Sequence, residues 1–157
     1  GNRAPRAVPI ALGVMSGLTL DSDFDSLCRL YWRTAVGIVL GVRHILETLN
    51  AHGYAIGTLH VTGGHTHNPL LMELYADATG CTVVEPATDD ATLLGTAAAA
   101  ATAAGLYGTL NAAAMAMQQG GRTRRPDTAL RERYDRDYRV FLAMLGQRQA
   151  IDTLSRG

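Results

Sequence analysis

The stretch from Thr58 to Val84 constrains the fold of this chain more strongly than any other part of its sequence. A short apolar run ends at Gly63 and Gly64, and an amphipathic segment follows from Asn68. A second run, rich in β-branched residues, then closes the stretch. Strands that alternate with helices in this way indicate an α/β layer in which neighbouring strands run parallel.

Capping and turn residues set the bounds of the predicted elements. Asn68 can cap a helix at 69–79, Pro69 suits its first position, and Gly80 suits the left-handed residue that ends it. Strands are predicted on either side of that helix. The strands lie at 58–62 and 82–85, the further helices at 22–50 (capped by Ser22), 91–104, 110–118 and 129–154, and a basic loop at 120–126.

Two strands are too few to cover this many helices. We therefore expect the sheet to be completed by strands upstream of Gly1 or by one at 8–12, and we expect residues 1–21 to continue from that upstream region. The domain itself is expected to span residues 22–157. Its alanine-rich helix at 91–104 is expected to be buried, because small side chains let a helix approach a sheet or another helix closely.

Composition excludes several broad classes of function. A length of 157 residues corresponds to about one domain, and 47% hydrophobic residues are enough for a core. The net charge is zero, so no long-range field favours nucleic acid or an anionic membrane as a partner. All 14 basic residues are Arg, and the chain therefore offers no lysine as a phosphate ligand or base.

The cysteines and the apolar segments indicate a cytoplasmic location. Cys28 and Cys81 are too few for a disulfide framework, and both are expected to be buried thiols in a reducing compartment. The first six residues do not lead into the apolar segment of a signal peptide. The predicted helix at 22–50 carries several charged residues, so we do not expect it to cross a membrane.

The turn at Gly63 and Gly64 is the first candidate binding site. Glycines permit positive φ angles and the close approach of a ligand to the backbone. The start of the following helix adds unpaired N–H groups and the positive end of a dipole, which favours a nucleotide. A tight turn without a ligand is the alternative, since the glycine spacing of dinucleotide sites and the Lys of phosphate loops are absent.

Asn68 is the second candidate, because its side-chain amide has both donors and an acceptor. Those groups suit the polar edge of a purine. As an alternative, Asn68 serves only as the helix cap. The two roles are compatible, since a capping Asn still has part of its amide available.

Histidines near the turn have a chemical and a structural interpretation. His65 and His67 have a spacing found at zinc sites, and His60 lies nearby. Zinc would need further ligands, for which the helix at 69–79 offers Glu73 and Asp77. A solvent-facing turn is the alternative, and no metal ligand is assigned.

Two charged clusters also have two interpretations. Asp21, Asp23 and Asp25 could bind a cation, but carboxylates at the start of a helix also serve as caps and interact favourably with its dipole. The three arginines of the basic loop at 120–126 could hold phosphate or RNA. A solvated loop explains them as well, since no aromatic residues lie between them.

Motifs spread along the chain recur together in one known family. Gly-Asn-Arg-Ala-Pro at 1–5 and Gly-Leu-Thr-Leu at 17–20 open the pattern. Gly-Gly-x-x-x-Asn follows at Gly63, Gly64 and Asn68. Leu-Leu-Gly-Thr-Ala at 93–97 and the closing run at 134–141 complete it. In this order the motifs resemble the C-terminal domain of the FGGY carbohydrate kinases, and within that family the D- and L-ribulokinases.

The resemblance implies a fold and an activity. The fold would be an α/β, ribonuclease H-like C-terminal domain of the actin-like ATPase superfamily, in part incomplete. The activity would be transfer of the γ-phosphate of ATP, with Mg²⁺, to a hydroxyl of a pentulose similar to ribulose. Gly64 and Asn68 would contact the adenosine, with Gly63 as the neighbouring turn glycine.

The same resemblance limits what this chain alone can do. The family's catalytic Asp and its sugar-binding domain lie upstream of the Gly-Asn-Arg segment, so no catalytic residue is assigned here. Many relatives have Ala or Leu, Ser or Ala, and Lys where this chain has His65, Thr66 and His67. A non-catalytic binding or oligomerisation module of the same fold is the alternative function.

Overall fold

The computed structural model describes residues 12–88 and 90–155 of the chain. Apart from Leu12, which has no regular structure, the possible strand at 8–12 lies outside the described residues. Short 3₁₀ turns precede two of the helices, at Gly64–His67 and Thr128–Leu130. The elements are α1 (Phe24–Ala51), β1 (Thr58–His60), α2 (Pro69–Thr79), β2 (Thr82–Pro86), α3 (Ala91–Ala103), α4 (Leu110–Met117), β3 (Gly121–Arg124) and α5 (Arg131–Leu154).

The strands of the described residues form one sheet with β2 in its centre. β1 runs parallel to β2, with Leu59 opposite Val83, as the alternation of strands and helices predicted. β3 runs antiparallel on the other side of β2, with Thr123 opposite Val84. A helix, α2, connects the two parallel strands, which is the usual crossover connection of a parallel pair.

The prediction of a loop at 120–126 was wrong, because β3 lies within it. Arg124 donates from Nε to Glu85 at 2.6 Å and from Nη1 to Glu73 at 3.1 Å, so two carboxylates from β2 and α2 hold it in place. Gly121 lies against the backbone carbonyl of Glu85, where a larger residue would clash. The four residues of β3 are therefore held by partners distant in sequence.

The core lies where α2 packs against the sheet and α1 and α5 pack against α2. Burial of a large apolar side chain contributes about 1.5–3 kcal/mol relative to its exposure. The largest fully buried side chains come from α1, α2, β2 and α5, and they are Val39, Met72, Leu74, Val83 and Tyr134.

The N-cap of α1 lies one residue later than predicted. Asp23, rather than Ser22, is the N-cap, and its carboxylate accepts a hydrogen bond of 2.7 Å from the Ser26 N–H. The hydrogen bonds from Ser26 lower the pKa of Asp23. The helix ends at Ala51, close to the predicted end, and Gly53 follows with a φ of 93°.

The first turns of α1 extend beyond the packed core. Phe24, Leu27 and Cys28 are exposed there, so the prediction that Cys28 is buried was wrong. Cys81 is buried beside β2, as predicted. No helix among the described residues has the length and apolar character needed to cross a membrane.

The alanine-rich α3 packs against α4, but it is less buried than predicted. In α3 only Ala98 is buried, and in α4 only Ala113 is. Small side chains do allow the two helices to approach each other, as expected. Leu93 of α3 and Leu106, which follows that helix, are exposed, whereas Leu94 is half-buried.

Candidate functional site

The turn after β1 has a backbone conformation that depends on Gly63. Its φ of 80° and ψ of −161° lie in a region that is accessible almost only to glycine. The Gly63 carbonyl accepts two hydrogen bonds from Thr66, at 3.0 Å from the backbone N–H and 2.8 Å from the hydroxyl. These bonds close the 3₁₀ turn and direct the chain into α2.

Gly64 occupies an ordinary backbone conformation at an exposed position in this turn. A side-chain carbon added to it would meet no other atom of the described residues within 4 Å. The turn therefore requires glycine at position 63 but not at 64. A bare backbone at Gly64 leaves open space directly beside the start of α2.

Asn68 has the capping role that the sequence predicted. Its Oδ1 accepts from the backbone N–H of Leu71 at 3.3 Å, and Pro69 occupies the first position of α2. Its Nδ2 donates to the hydroxyl of Tyr31 on α1 at 2.9 Å, which the sequence did not indicate. One N–H of the amide is thus bonded, and the other has no partner among the described residues.

His65 pairs with Tyr75 of α2. Its Nδ1 lies 2.9 Å from the Tyr75 hydroxyl, and the two rings stack with centroids 5.9 Å apart. Burial raises the pKa of Tyr75, so the phenol stays neutral at ordinary pH. The described residues contain no group of three or more His, Cys, Asp or Glu that could hold a metal ion, and the zinc interpretation gains no support.

Those charged residues of the two clusters whose partners the structure shows have structural roles. Asp23 caps α1, and Asp21 accepts a hydrogen bond of 2.9 Å from Thr19. Arg124 is occupied by Glu73 and Glu85, so the arginines at 120–126 do not act together as a phosphate cluster.

Two cavities of about 230 Å³ each lie near the sheet. The first is apolar and lies between β2, α3 and α4, where it reaches His60 at the end of β1 and Thr62 beyond it. The second is polar and lies near the end of α2, beside Arg43 and Arg131. Neither cavity includes the turn glycines or Asn68, so the candidate residues lie together on an open surface at the start of α2.

Comparison with protein families matches residues 1–104 to the FGGY family of carbohydrate kinases, C-terminal domain. An FGGY carbohydrate kinase domain-containing protein from Xenopus laevis is 38% identical over 144 residues, and a ribulokinase from Mycolicibacterium smegmatis is 36% identical over 148. Each alignment covers 92% of this chain. The chain spans only 26% and 25% of the lengths of these two relatives.

A solved structure shows the same architecture. Xylulose kinase from Rhodospirillum rubrum superposes with a TM-score of 0.73 at 27% identity, covering 91% of this chain and 28% of that one. This likeness confirms the predicted α/β fold class, a partial domain of the actin-like ATPase superfamily. The family match and the shared fold agree over most of the sequence, and the chain belongs to the FGGY family of carbohydrate kinases as its C-terminal domain.

Proposed function

We propose that residues 22–157 form the ATP-binding C-terminal part of a carbohydrate kinase that transfers the γ-phosphate of ATP to a sugar hydroxyl. The sugar is a pentulose similar to ribulose. Support for this substrate comes from the ribulokinase relative, although a xylulose kinase has the same fold. The free cysteines fit a reducing cytoplasm, where such an enzyme would act.

Gly64 is the observation that carries this proposal. Gly63 is explained by the backbone of the turn, because its φ and ψ angles favour glycine. Gly64 has no such conformational reason, and nothing in the described chain fills the space beside it. Close approach of a flat ligand gives a reason for glycine there, and adenosine lying against Gly64 would come within reach of the Asn68 amide.

The start of α2 favours the nucleotide electrostatically. The helix dipole places partial positive charge at this end. Pro69 has no N–H, and the N–H groups of Leu71 and Met72 donate to Asn68, so in the described chain the first turn of α2 offers a ligand only the Leu70 N–H. The Asn68 side chain adds its second amide N–H. This chain would therefore bind and orient the adenosine side of ATP.

Mg²⁺ is implied by the family, but the described residues do not fit a magnesium site. They include no cluster of carboxylates arranged to hold a cation. We therefore assign no residue of this chain to the metal and no catalytic residue to the transfer step. Both belong, in this proposal, to parts of the kinase outside this sequence.

Calorimetric titration of the purified chain with ADP tests the nucleotide site. We expect millimolar or tighter binding, abolished in Gly64→Val because the added side chain would occupy the ligand's position. Asn68→Ser should weaken binding to a lower but still measurable affinity, while keeping an oxygen that can cap α2. Gly57→Val is the matched control. It adds the same side chain just before the start of β1, where an added Cβ would have no neighbouring atom within 4 Å. Equal affinity in all four proteins, or no binding by the wild type, would contradict the proposal.

A non-catalytic module that oligomerises is the second candidate. Exposed apolar side chains at the start of α1 and on the pair of α3 and α4 favour it, because large apolar patches commonly mark interaction surfaces. Analytical ultracentrifugation distinguishes the two functions. A stable oligomer that binds no ADP would favour the module, whereas a monomer that binds ADP would favour the kinase domain.

A further inference from the structure

We infer that Tyr31 is a positioning residue of the proposed nucleotide site, because it holds the Asn68 amide in the orientation that a ligand would meet. The inference rests on the proposed function of Asn68. Its structural basis is the 2.9 Å hydrogen bond between Asn68 Nδ2 and the Tyr31 hydroxyl, which joins α1 to the start of α2. The two residues are 37 positions apart in the sequence.

The donors and acceptors around Asn68 determine the direction of its amide. The backbone N–H of Leu71 can only donate, so the Asn68 atom that faces it is the oxygen. The other amide atom is then the nitrogen, and one of its two hydrogens goes to Tyr31. Because the amide accepts one hydrogen bond through its oxygen and donates another through its nitrogen, its second N–H points in one defined direction.

That second N–H is the group a ligand would use. It can donate to an acceptor of a nucleoside, such as a ring nitrogen or a ribose oxygen. Without the Tyr31 hydroxyl the amide would keep only its capping bond and could turn about its side-chain torsions. The ligand would then have to order the amide on binding, which costs side-chain entropy.

The fold itself depends little on the Tyr31 hydroxyl. Tyr31 is 54% exposed, and Asn68 still caps α2 when that hydroxyl is removed. Tyr31→Phe keeps the ring and removes only the acceptor. It therefore separates the positioning of Asn68 from the stability of the chain.

A double-mutant cycle with ADP tests whether Tyr31 acts through Asn68. Tyr31→Phe should weaken ADP binding about fivefold to tenfold, the usual effect of one lost hydrogen bond. In the Asn68→Ser background, where the amide is absent, the same change should have no further effect. Tyr54→Phe is the control, because it removes an exposed hydroxyl beyond the end of α1, about 30 Å along the helix from Tyr31. Unchanged ADP affinity in Tyr31→Phe, or an equal loss in both backgrounds, would overturn the inference.

A measurement without nucleotide separates this inference from the proposed function. In ¹H–¹⁵N spectra of the free chain, the Asn68 side-chain resonances should shift in Tyr31→Phe, because one of the two amide protons loses its acceptor. The Asn50 amide, which bonds Ile56, should not change and serves as the internal reference. Unchanged Asn68 resonances would overturn the inference even if ADP binds. A wild-type chain that binds no ADP would instead refute the proposed function, while the spectra still decide whether Tyr31 holds Asn68.

Discussion

Arg43 of α1 donates a 2.6 Å hydrogen bond to Asp135 of α5 and thereby joins the two longest helices of the described chain. The Arg43 side chain is only 6% exposed. Its other nitrogens donate to the Ala78 carbonyl at 3.2 Å and to Glu47 at 3.3 Å, and its guanidinium lies 4.5 Å from the ring centre of Tyr138. A buried cation is tolerated here because each nitrogen has a partner.

Asp135→Asn should destabilise the chain, because it removes the charge that faces the buried Arg43. We expect the free energy of unfolding at pH 7 to fall by about 2 kcal/mol, as for hydrogen bonds to charged groups. Urea denaturation measures this difference. Glu132→Gln, an exposed charge removal on the same helix, should change stability by less than about 0.5 kcal/mol. Equal effects of the two substitutions would refute a special role for Asp135.

The same pair predicts a pH dependence. Burial raises the pKa of Asp135, but hydrogen bonds and charge from Arg43, together with the charge of Arg131, outweigh burial and hold the pKa below its ordinary value of 3.8. A carboxyl with a lowered folded-state pKa contributes stability in full above its unfolded-state pKa, and that contribution is lost as the pH falls through the folded-state value. The stability difference between wild type and Asp135→Asn should therefore shrink below about pH 4.

Gly63→Ala should lower the stability of the chain, whereas Gly64→Ala should lower its affinity for ADP. An alanine at position 63 must adopt the backbone conformation of the turn, at a cost of about 1–3 kcal/mol. An alanine at position 64 meets no neighbour and has no positive φ, so thermal unfolding should shift little. Its effect should appear instead in ADP affinity. A large loss of stability in Gly64→Ala would show that the fold, rather than a ligand, requires that glycine.

The two thiols should react at very different rates with a disulfide reagent such as DTNB. Cys28 is exposed on the first turns of α1, whereas Cys81 is buried beside β2. One equivalent should therefore react rapidly in the native chain, and the second only after denaturation. Cys28→Ser should abolish the rapid phase. Two rapid equivalents in the native chain would contradict the burial of Cys81.

The chain alone should not phosphorylate D-ribulose. The relatives reported above are roughly four times as long, and the resemblance to the family assigns the catalytic Asp to an upstream region. A coupled assay of ADP production with the purified chain, ATP, Mg²⁺ and D-ribulose measures this. Turnover that depends on the sugar would contradict the prediction.

Local signals explain what the sequence could predict. The bounds of α2 follow from Asn68, Pro69 and Gly80, which lie within or beside the helix and act on its own backbone. Gly63, Gly64 and Asn68 belong to one short turn, so their spacing in the sequence is enough to predict that they lie close together. These features need no knowledge of the rest of the chain.

Contacts between distant residues explain what the sequence missed. The Tyr31 hydroxyl reaches Asn68 only because α1 packs against α2, and no local pattern indicates this register. β3 has no apolar alternation and becomes a strand through its pairing with β2 and the ion pairs of Arg124. Cys28 belongs to the same apolar face of α1 as the buried residues. The spacing of apolar residues does not show how far along α1 the neighbouring elements pack.

The position of β3 has a kinetic consequence. Thr58 of β1 pairs with Thr82 of β2 across 24 positions that include only α2, whereas Arg124 meets Glu85 across 39 positions that include α3 and α4. Longer loops cost more entropy to close, and contacts between residues distant in sequence form more slowly. During refolding, pulse-labelling hydrogen exchange should therefore protect the amides shared by β1 and β2 before those of β3. The parallel pair of β1 and β2 would form first, and β3 would pair with β2 last.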